Sequence, residues 1–397
     1  MTTKEQKKLI LENMTSLLEL PESAYQMAKD RYEDIGDWLG RDESACKDND
    51  PHIFPQGSFR LGTAIRPLVE NEAYDLDLAC KLREGISKGT HTQESLKALI
   101  GIEIESYRVA RGIKAPKEEK HRCWRLEYQD DLSFHMDIVP CIPADDSRQH
   151  LIFESLRKSG ADDYFAGTAS KTTVSITDDR HPEYRQISEN WHISNPEGYA
   201  EWFVSRMDTS VRSILEKAQV DEMPLYKRKT ALQRSIQLLK RHRDIMFKDD
   251  SDVKPISIII TTLAARAYQG ETDLESAMSS ILARMGDFVN PTSPRVPNPV
   301  DPAEDFADRW SRPECKELNL EQNFWGWLRQ ARSDFELLWE SDDASFITEQ
   351  AGQKFSLKMD TAELRKSLGL GVASSIAIIT PKEHTISQPA KPWRKGK

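Results

Sequence analysis

The chain has 397 residues, two to three domains' worth at roughly 150 residues each, so it can bury a core without disulfide or metal staples. Its 55 Lys and Arg against 65 Asp and Glu leave a formal charge of −10, which makes the surface as a whole a poor partner for duplex DNA while allowing a local basic groove. No apolar run is long enough to span a bilayer, MTTKEQKKLI lacks the apolar block of a signal peptide, and the five cysteines are scattered, so a reduced cytoplasmic protein with no membrane segment, disulfide framework or thiolate zinc site is expected.

From Thr3 to Leu39, Leu9, Ile10, Met14, Leu17 and Leu18, then Ala24, Met27, Ala28, Ile35 and Leu39, recur at helical spacing around Pro21, which predicts two helices on a common core. IFPQGSFRLGTAIRPL then leads into YDLDLACKL, whose alternation sets Leu76 and Leu78 on one strand face and Asp75, Asp77 and Ala79 on the other. Thr92 caps a helix expected to run to Arg108 with Glu94 and Glu103 facing water. A strand pair follows, Cys123 to Tyr128 and Leu132 to Ile142 around a Gln129-Asp130-Asp131 turn, with Asp137 among the outward residues.

Between Pro143 and Asn195 the Asp, Ser, Thr and Gly content predicts loops around short elements, and Pro196 to Leu215 reads as helix. Tyr226 to Phe247 is amphipathic. Ala231, Leu232, Ile236, Leu239 and Ile245 lie on one face, and Lys227, Arg228, Lys229, Arg234, Lys240, Arg241 and Arg243 crowd the other against Asp244 alone. A like-charged stripe of this kind costs stability unless anions relieve it. Pro255 opens an apolar helix to Tyr268, the Pro-rich stretch from Asn290 to Pro302 reads as an extended surface strap, and Glu304 to Trp310 and Phe324 to Trp339 return to helical spacing. A basic tail starts at Pro381.

Asp75 and Asp77 share one side of a strand, and Asp137 joins them if its strand lies alongside. At an effective dielectric of about 20, two unit charges about 4 Å apart repel by about 4 kcal/mol, so such a cluster calls for protons, basic partners or cations. Hard carboxylate oxygens suit Mg²⁺ or Mn²⁺. Gly57 permits close backbone approach, and Ser58 offers a hydroxyl and an N–H to phosphate. PQGSFRLGT fits neither a Walker loop nor a dinucleotide fingerprint. Lys240 and Ser257 are candidates to hold phosphates from the opposite side. Arg60 and Arg66 stand near the turn, where they either bind phosphate or brace the acids. His135 and His242 read as structural or surface residues.

GSFRLGT, DLD and HMDIVP together resemble the polymerase-beta-like nucleotidyltransferases, and more closely the bacterial cGAS/DncV-like (CD-NTase) family. LQRSIQLLKRHRD, PISIIITTLA and the Pro-rich strap are similar to that family's second lobe. The resemblance implies an α+β fold: a bilobal nucleotidyltransferase core with a mixed twisted sheet and a mainly helical second lobe. The expected organisation is helices of an inter-lobe spine in 1–50, a catalytic lobe in 51–195, a helical nucleotide-binding lobe in 196–380 and a flexible basic tail in 381–397.

The resemblance further implies that Gly57 and Ser58 contact the triphosphate and that Asp75, Asp77 and Asp137 hold two Mg²⁺ or Mn²⁺ ions. Lys240 and Ser257 would steady the phosphates, ATP would be among the NTP substrates, and the product would be a cyclic di- or trinucleotide. The partners it implies are a downstream cyclic-nucleotide-responsive effector in antiphage defence and a regulatory protein, with no membrane and no duplex DNA. Two rival readings are a transferase acting on RNA or protein and a catalytically silent nucleotide-binding module.

Overall fold

A computed structural model describes residues 4–69, 72–129, 133–207, 229–341 and 343–359. Asp130 and Asp131 of the turn, the far end of the helix expected to reach Leu215, Lys227 and Arg228, and the tail from Pro381 lie outside these residues.

The two N-terminal helices, α1 (Lys4–Leu18) and α2 (Glu22–Gly40), break at Pro21 as expected. They face different cores. Ala24, Ala28, Ile35 and Leu39 of α2 join the apolar layer under the sheet, whereas α1 packs on helices of the C-terminal half and Lys7 Nζ donates to Trp339 O at 2.7 Å. The chain continues through β1 (Pro51–Pro55), the single turn α3 (Gly57–Arg60) and β2 (Tyr74–Leu82). Next is α4 (Gln93–Ala110), capped by Thr92 Oγ1, which accepts from Ser95 N at 3.0 Å. Gly101 on α4 lies against the Trp124 indole; a Cβ there would sit 2.5 Å from the ring, so only glycine lets helix and sheet meet. Glu103, expected in water, is buried: it accepts from Ala45 N at 2.8 Å and pairs with Arg41 at 2.9 Å, tying the 41–46 loop to α4.

Strands β3 (Glu118–Glu119), β4 (Trp124–Tyr128) and β5 (Phe134–Pro143) complete the central order β1-β2-β5-β4-β3, with β2–β5 parallel and the other pairs antiparallel. The parallel pair needs a long crossover, which α4 supplies. The 143–195 segment is more regular than its composition suggests. Asp145 and Asp162 cap α5 (Asp146–Lys158) and α6 (Asp163–Lys171), and β6 (Val174–Ile176) and β7 (His192–Ser194) extend the sheet past the second half of β5.

The C-terminal half holds α7 (Pro196–Ser205), α8 (Ala231–Met246), α9 (Ser257–Ala267) and α10 (Leu274–Arg284). Helix α9 begins two residues after Pro255, which precedes its N-cap. The strap forms a hairpin, β8 (Pro297–Asn298) and β9 (Asp301–Asp305), because Val296 and Val300 are fully buried and pin it down. In place of a helix over 304–310 there is only a 3-10 turn at Asp308–Trp310. Helices α11 (Leu320–Glu340) and α12 (Ala344–Phe355) close the described chain. No helix among the described residues is long and apolar enough to cross a membrane.

Candidate active site

Asp77 and Asp137 are direct register partners across β2 and β5, and Asp75 is the partner of His135. Adjacent strands lie about 4.8 Å apart, so both acids rise from one spot on the sheet. Leu76, Leu78, Met136 and Ile138 occupy the opposite, core-facing side, which leaves the acids on the open face. The strand bearing the third acid therefore lies beside the first.

The carboxylates do not, however, converge as three free groups. Strand β4 brings Arg125 into register with Asp137; its Nε donates to Oδ1 at 2.6 Å and its Nη2 to Oδ2 at 2.7 Å. His135 Nδ1 lies 3.4 Å from Asp75 Oδ1. Among the described residues, no three His, Cys, Asp or Glu side chains are already drawn around one point. Arg125 was not singled out in the sequence, although the alternation of WRLEY places it on the same open face as the acids.

The Gly57–Ser58 turn is suspended directly over Asp77. Gln56 N donates to Asp77 O at 2.8 Å, and Gly57 has φ +63°. A Cβ on Gly57 would overlap Asp77 Oδ2, so glycine is required both by backbone conformation and by proximity. Ser58 O accepts from Thr63 N at 2.9 Å and closes the turn.

Burial, reinforced by Asp137 and Asp75, pushes the Asp77 carboxyl up to about 7 against the opposing charges of Arg125 and Lys240. The site is thus short of positive charge. Three hard oxygen donors of this kind fit divalent cations such as Mg²⁺ or Mn²⁺.

The basic face of α8, together with Lys229 just before its N-cap, is not a solvated stripe. It docks the 61–66 segment through backbone carbonyls: Gln233 Nε2 donates to Leu61 O at 3.0 Å, Lys229 Nζ to Gly62 O at 2.8 Å, Lys240 Nζ to Thr63 O at 3.1 Å and Gln237 Nε2 to Ala64 O at 2.8 Å. Arg241 reaches Arg66 O in the same manner. The relief expected from bound anions comes largely from peptide oxygens, and the uncharged Gln233 and Gln237, which no charge pattern marks, share in the docking. Lys240 is buried, also donates to Thr63 Oγ1, and is brought down to about 7 by burial and by Arg243, against Asp244 and Asp77.

Ser257, the exposed first residue of α9, accepts from Arg243 Nη1 at 2.9 Å. His242 is buried against Asp334, and Arg66 Nε donates to Glu19 O, so both serve the framework. Arg60 faces a cavity of about 1050 Å³ lined also by Phe165, Glu201, Trp202, Phe288 and Asn298; none of the three acids lines it.

Residues 51–140, from the start of β1 into β5, match the family described as "Cyclic GMP-AMP synthase DncV-like, nucleotidyltransferase domain". The chain is 30% identical over 338 residues to a c-di-GMP synthase of Roseivirga ehrenbergii, covering 81% of this chain and 79% of that protein. It is 24% identical over 338 residues to the cyclic dinucleotide synthase CdnG of Bradyrhizobium diazoefficiens, covering 79% and 72%. The fold resembles the structure of that CD-NTase CdnG in complex with GTP, with a TM-score of 0.62 at 19% identity over 92% of this chain and 98% of the other. The extent of the similarity to the Roseivirga synthase, together with the sheet that aligns the acids, shows that the chain is a nucleotidyltransferase of the cGAS/DncV-like bacterial (CD-NTase) family.

Proposed function

We propose that the protein condenses two nucleoside triphosphates, with GTP and ATP as the candidate substrates, into a cyclic dinucleotide and releases pyrophosphate. The observation that carries this reading is the Asp77–Asp137 register pair directly beneath the Gly57–Ser58 turn. Ser58 and the turn's backbone N–H groups bind the triphosphate, and Lys240, one hydrogen bond behind the turn, adds positive charge that the phosphates stabilise. Asp137 stands where it orients the attacking ribose hydroxyl, whose proton leaves to water. The new bond joins that oxygen to the α-phosphorus, and the bond from the α-phosphorus to the bridging oxygen breaks as pyrophosphate leaves. The same step at the other end of the linear intermediate closes the ring. Asp75, Asp77 and Asp137 would hold Mg²⁺ or Mn²⁺, which would supply the positive charge that lowers the pKa of the hydroxyl and stabilises the leaving pyrophosphate.

The family likeness supports a role in antiphage signalling through a cyclic-nucleotide-responsive effector. It also supports control by a regulatory protein, since a fold relative, CdnC of E. coli MS115-1, was solved as a complex with HORMA-deltaN, with a TM-score of 0.55 at 12% identity. Incubation of the purified protein with all four NTPs and either metal, followed by product mass and phosphatase treatment, tests the reading. A small phosphatase-resistant product of cyclic dinucleotide mass is expected, whereas transfer of label to RNA or protein, or NTP binding without pyrophosphate release, overturns it.

A further inference from the structure

The cavity beside Arg60 has a use that the acids and the phosphate turn do not exhaust. Arg60 follows Ser58 by two residues on α3, so a nucleotide with its phosphates on the turn has this space within reach. Helix α7 forms one wall. It is anchored over the acid-bearing face by the ion pair of Lys81 with Glu197, Lys81 alternating in phase with Asp75 and Asp77 along β2. One helical turn beyond Glu197, Glu201 lines the cavity and keeps its exposure to solvent.

Three other polar groups of the lining are already committed. Asn298 Nδ2 donates to Glu304 at 2.6 Å, Arg266 Nη2 to Pro297 O at 2.7 Å, and Asp162 accepts from Phe165 N at 2.8 Å as the cap of α6. The Glu201 carboxylate, by contrast, accepts no hydrogen bond among the described residues. It is raised by burial and by Glu197, with Arg60 the opposing charge. At about 1050 Å³ the cavity has room for a nucleoside, and Phe165, Trp202 and Phe288 supply aromatic surface against which a flat base can pack.

We propose that Glu201 reads the Watson–Crick edge of a guanine seated in this cavity, so that the enzyme selects GTP over ATP at one of its nucleotide positions. The inference rests on the nucleotidyltransferase reading above and goes beyond it to base choice. Guanine presents two adjacent donors, N1–H and the exocyclic amine, which a carboxylate accepts together. Adenine seated the same way has its amine at the far, 6-position end of the edge and turns an N1 lone pair and a C2–H toward the carboxylate, which the base then covers without giving it a donor. A site built to satisfy donors rejects the analogue that lacks them by a large factor.

The test compares wild type, Glu201→Gln and Glu201→Ala by two readouts. One is kcat/KM for GTP and for ATP from pyrophosphate release; the other is calorimetric binding of non-hydrolysable GTP and ATP analogues. Both substitutions fall at an exposed side chain, and Gln preserves its shape, so the fold is retained. A GTP preference in the wild type that falls at least tenfold in both variants, in turnover and in binding, supports the proposal. A ratio that moves less than twofold, or a wild type with no preference for GTP, overturns it. Failure of the broader reading is distinct: it shows as no pyrophosphate from any NTP, while analogue binding still reports whether Glu201 sets base preference.

Discussion

Arg125 and Asp137 are register partners on neighbouring antiparallel strands and are joined by a two-pronged hydrogen bond at 2.6 and 2.7 Å. The pair makes Arg125 the resident counter-charge of the acid that faces Asp77. Replacing Arg125 with Met leaves Asp137 without its donors and is expected to destabilise the metal-free chain by about 2 kcal/mol, the scale of a charge-assisted hydrogen bond at a partly exposed site. The same variant gains more from Mn²⁺ than wild type does. Denaturant melts in chelator and in Mn²⁺ measure both differences.

Asp77 gives a pH signature. Its carboxyl is held up at about 7 by burial and by Asp137 and Asp75, against about 3.9 in an unfolded chain. Between these values the folded state binds the extra proton, so metal-free stability falls as pH rises from about 4 to about 7 and stays low above that. Asp77→Asn removes the penalty. The variant should match wild type at pH 4 and melt higher at pH 8 in chelator, and divalent cations should raise the melting temperature of wild type alone.

Gly57→Ala separates proximity from stability. The φ of +63° costs an alanine about 1 kcal/mol, yet its Cβ would displace the Asp77 carboxylate. A modest loss in melting temperature is therefore expected beside a fall in kcat/KM of at least a hundredfold.

Lys240 is brought down to about 7 by burial and by Arg243, so near pH 8 a substantial share of this side chain is neutral. Triphosphate bound at the neighbouring turn favours the charged form, and NTP binding should take up protons there. Calorimetry in buffers of different ionisation enthalpy measures this uptake, which Lys240→Met is expected to reduce together with NTP affinity.

The strands and their acids were legible because period-2 alternation is strong in YDLDLACKL and FHMDIVP, and the Gly-Ser turn was legible because it precedes them at close range. What escaped notice depends on tertiary partners. Nothing local marks Glu103 as buried, since its partners Arg41 and Ala45 come from a distant loop. The stripe of cations at Lys229, Lys240 and Arg241 points to bound anions, whereas their partners are carbonyls of 62–66, which have no side-chain signature. The caps Asp145 and Asp162 were readable in principle; the polar composition around them hid α5 and α6. The hairpin at 297–305 shows that proline density sets local conformation, whereas two buried valines decide where the segment lies.

The most direct measurement follows pyrophosphate release from GTP plus ATP in Mn²⁺ by wild type, Asp77→Asn and Asp137→Asn, each checked for folding by its melt. If the register pair is the catalytic centre, wild type turns over and both isosteric variants stay folded while losing at least three orders of magnitude in rate. A folded Asp137→Asn protein that releases pyrophosphate at the wild-type rate would contradict it.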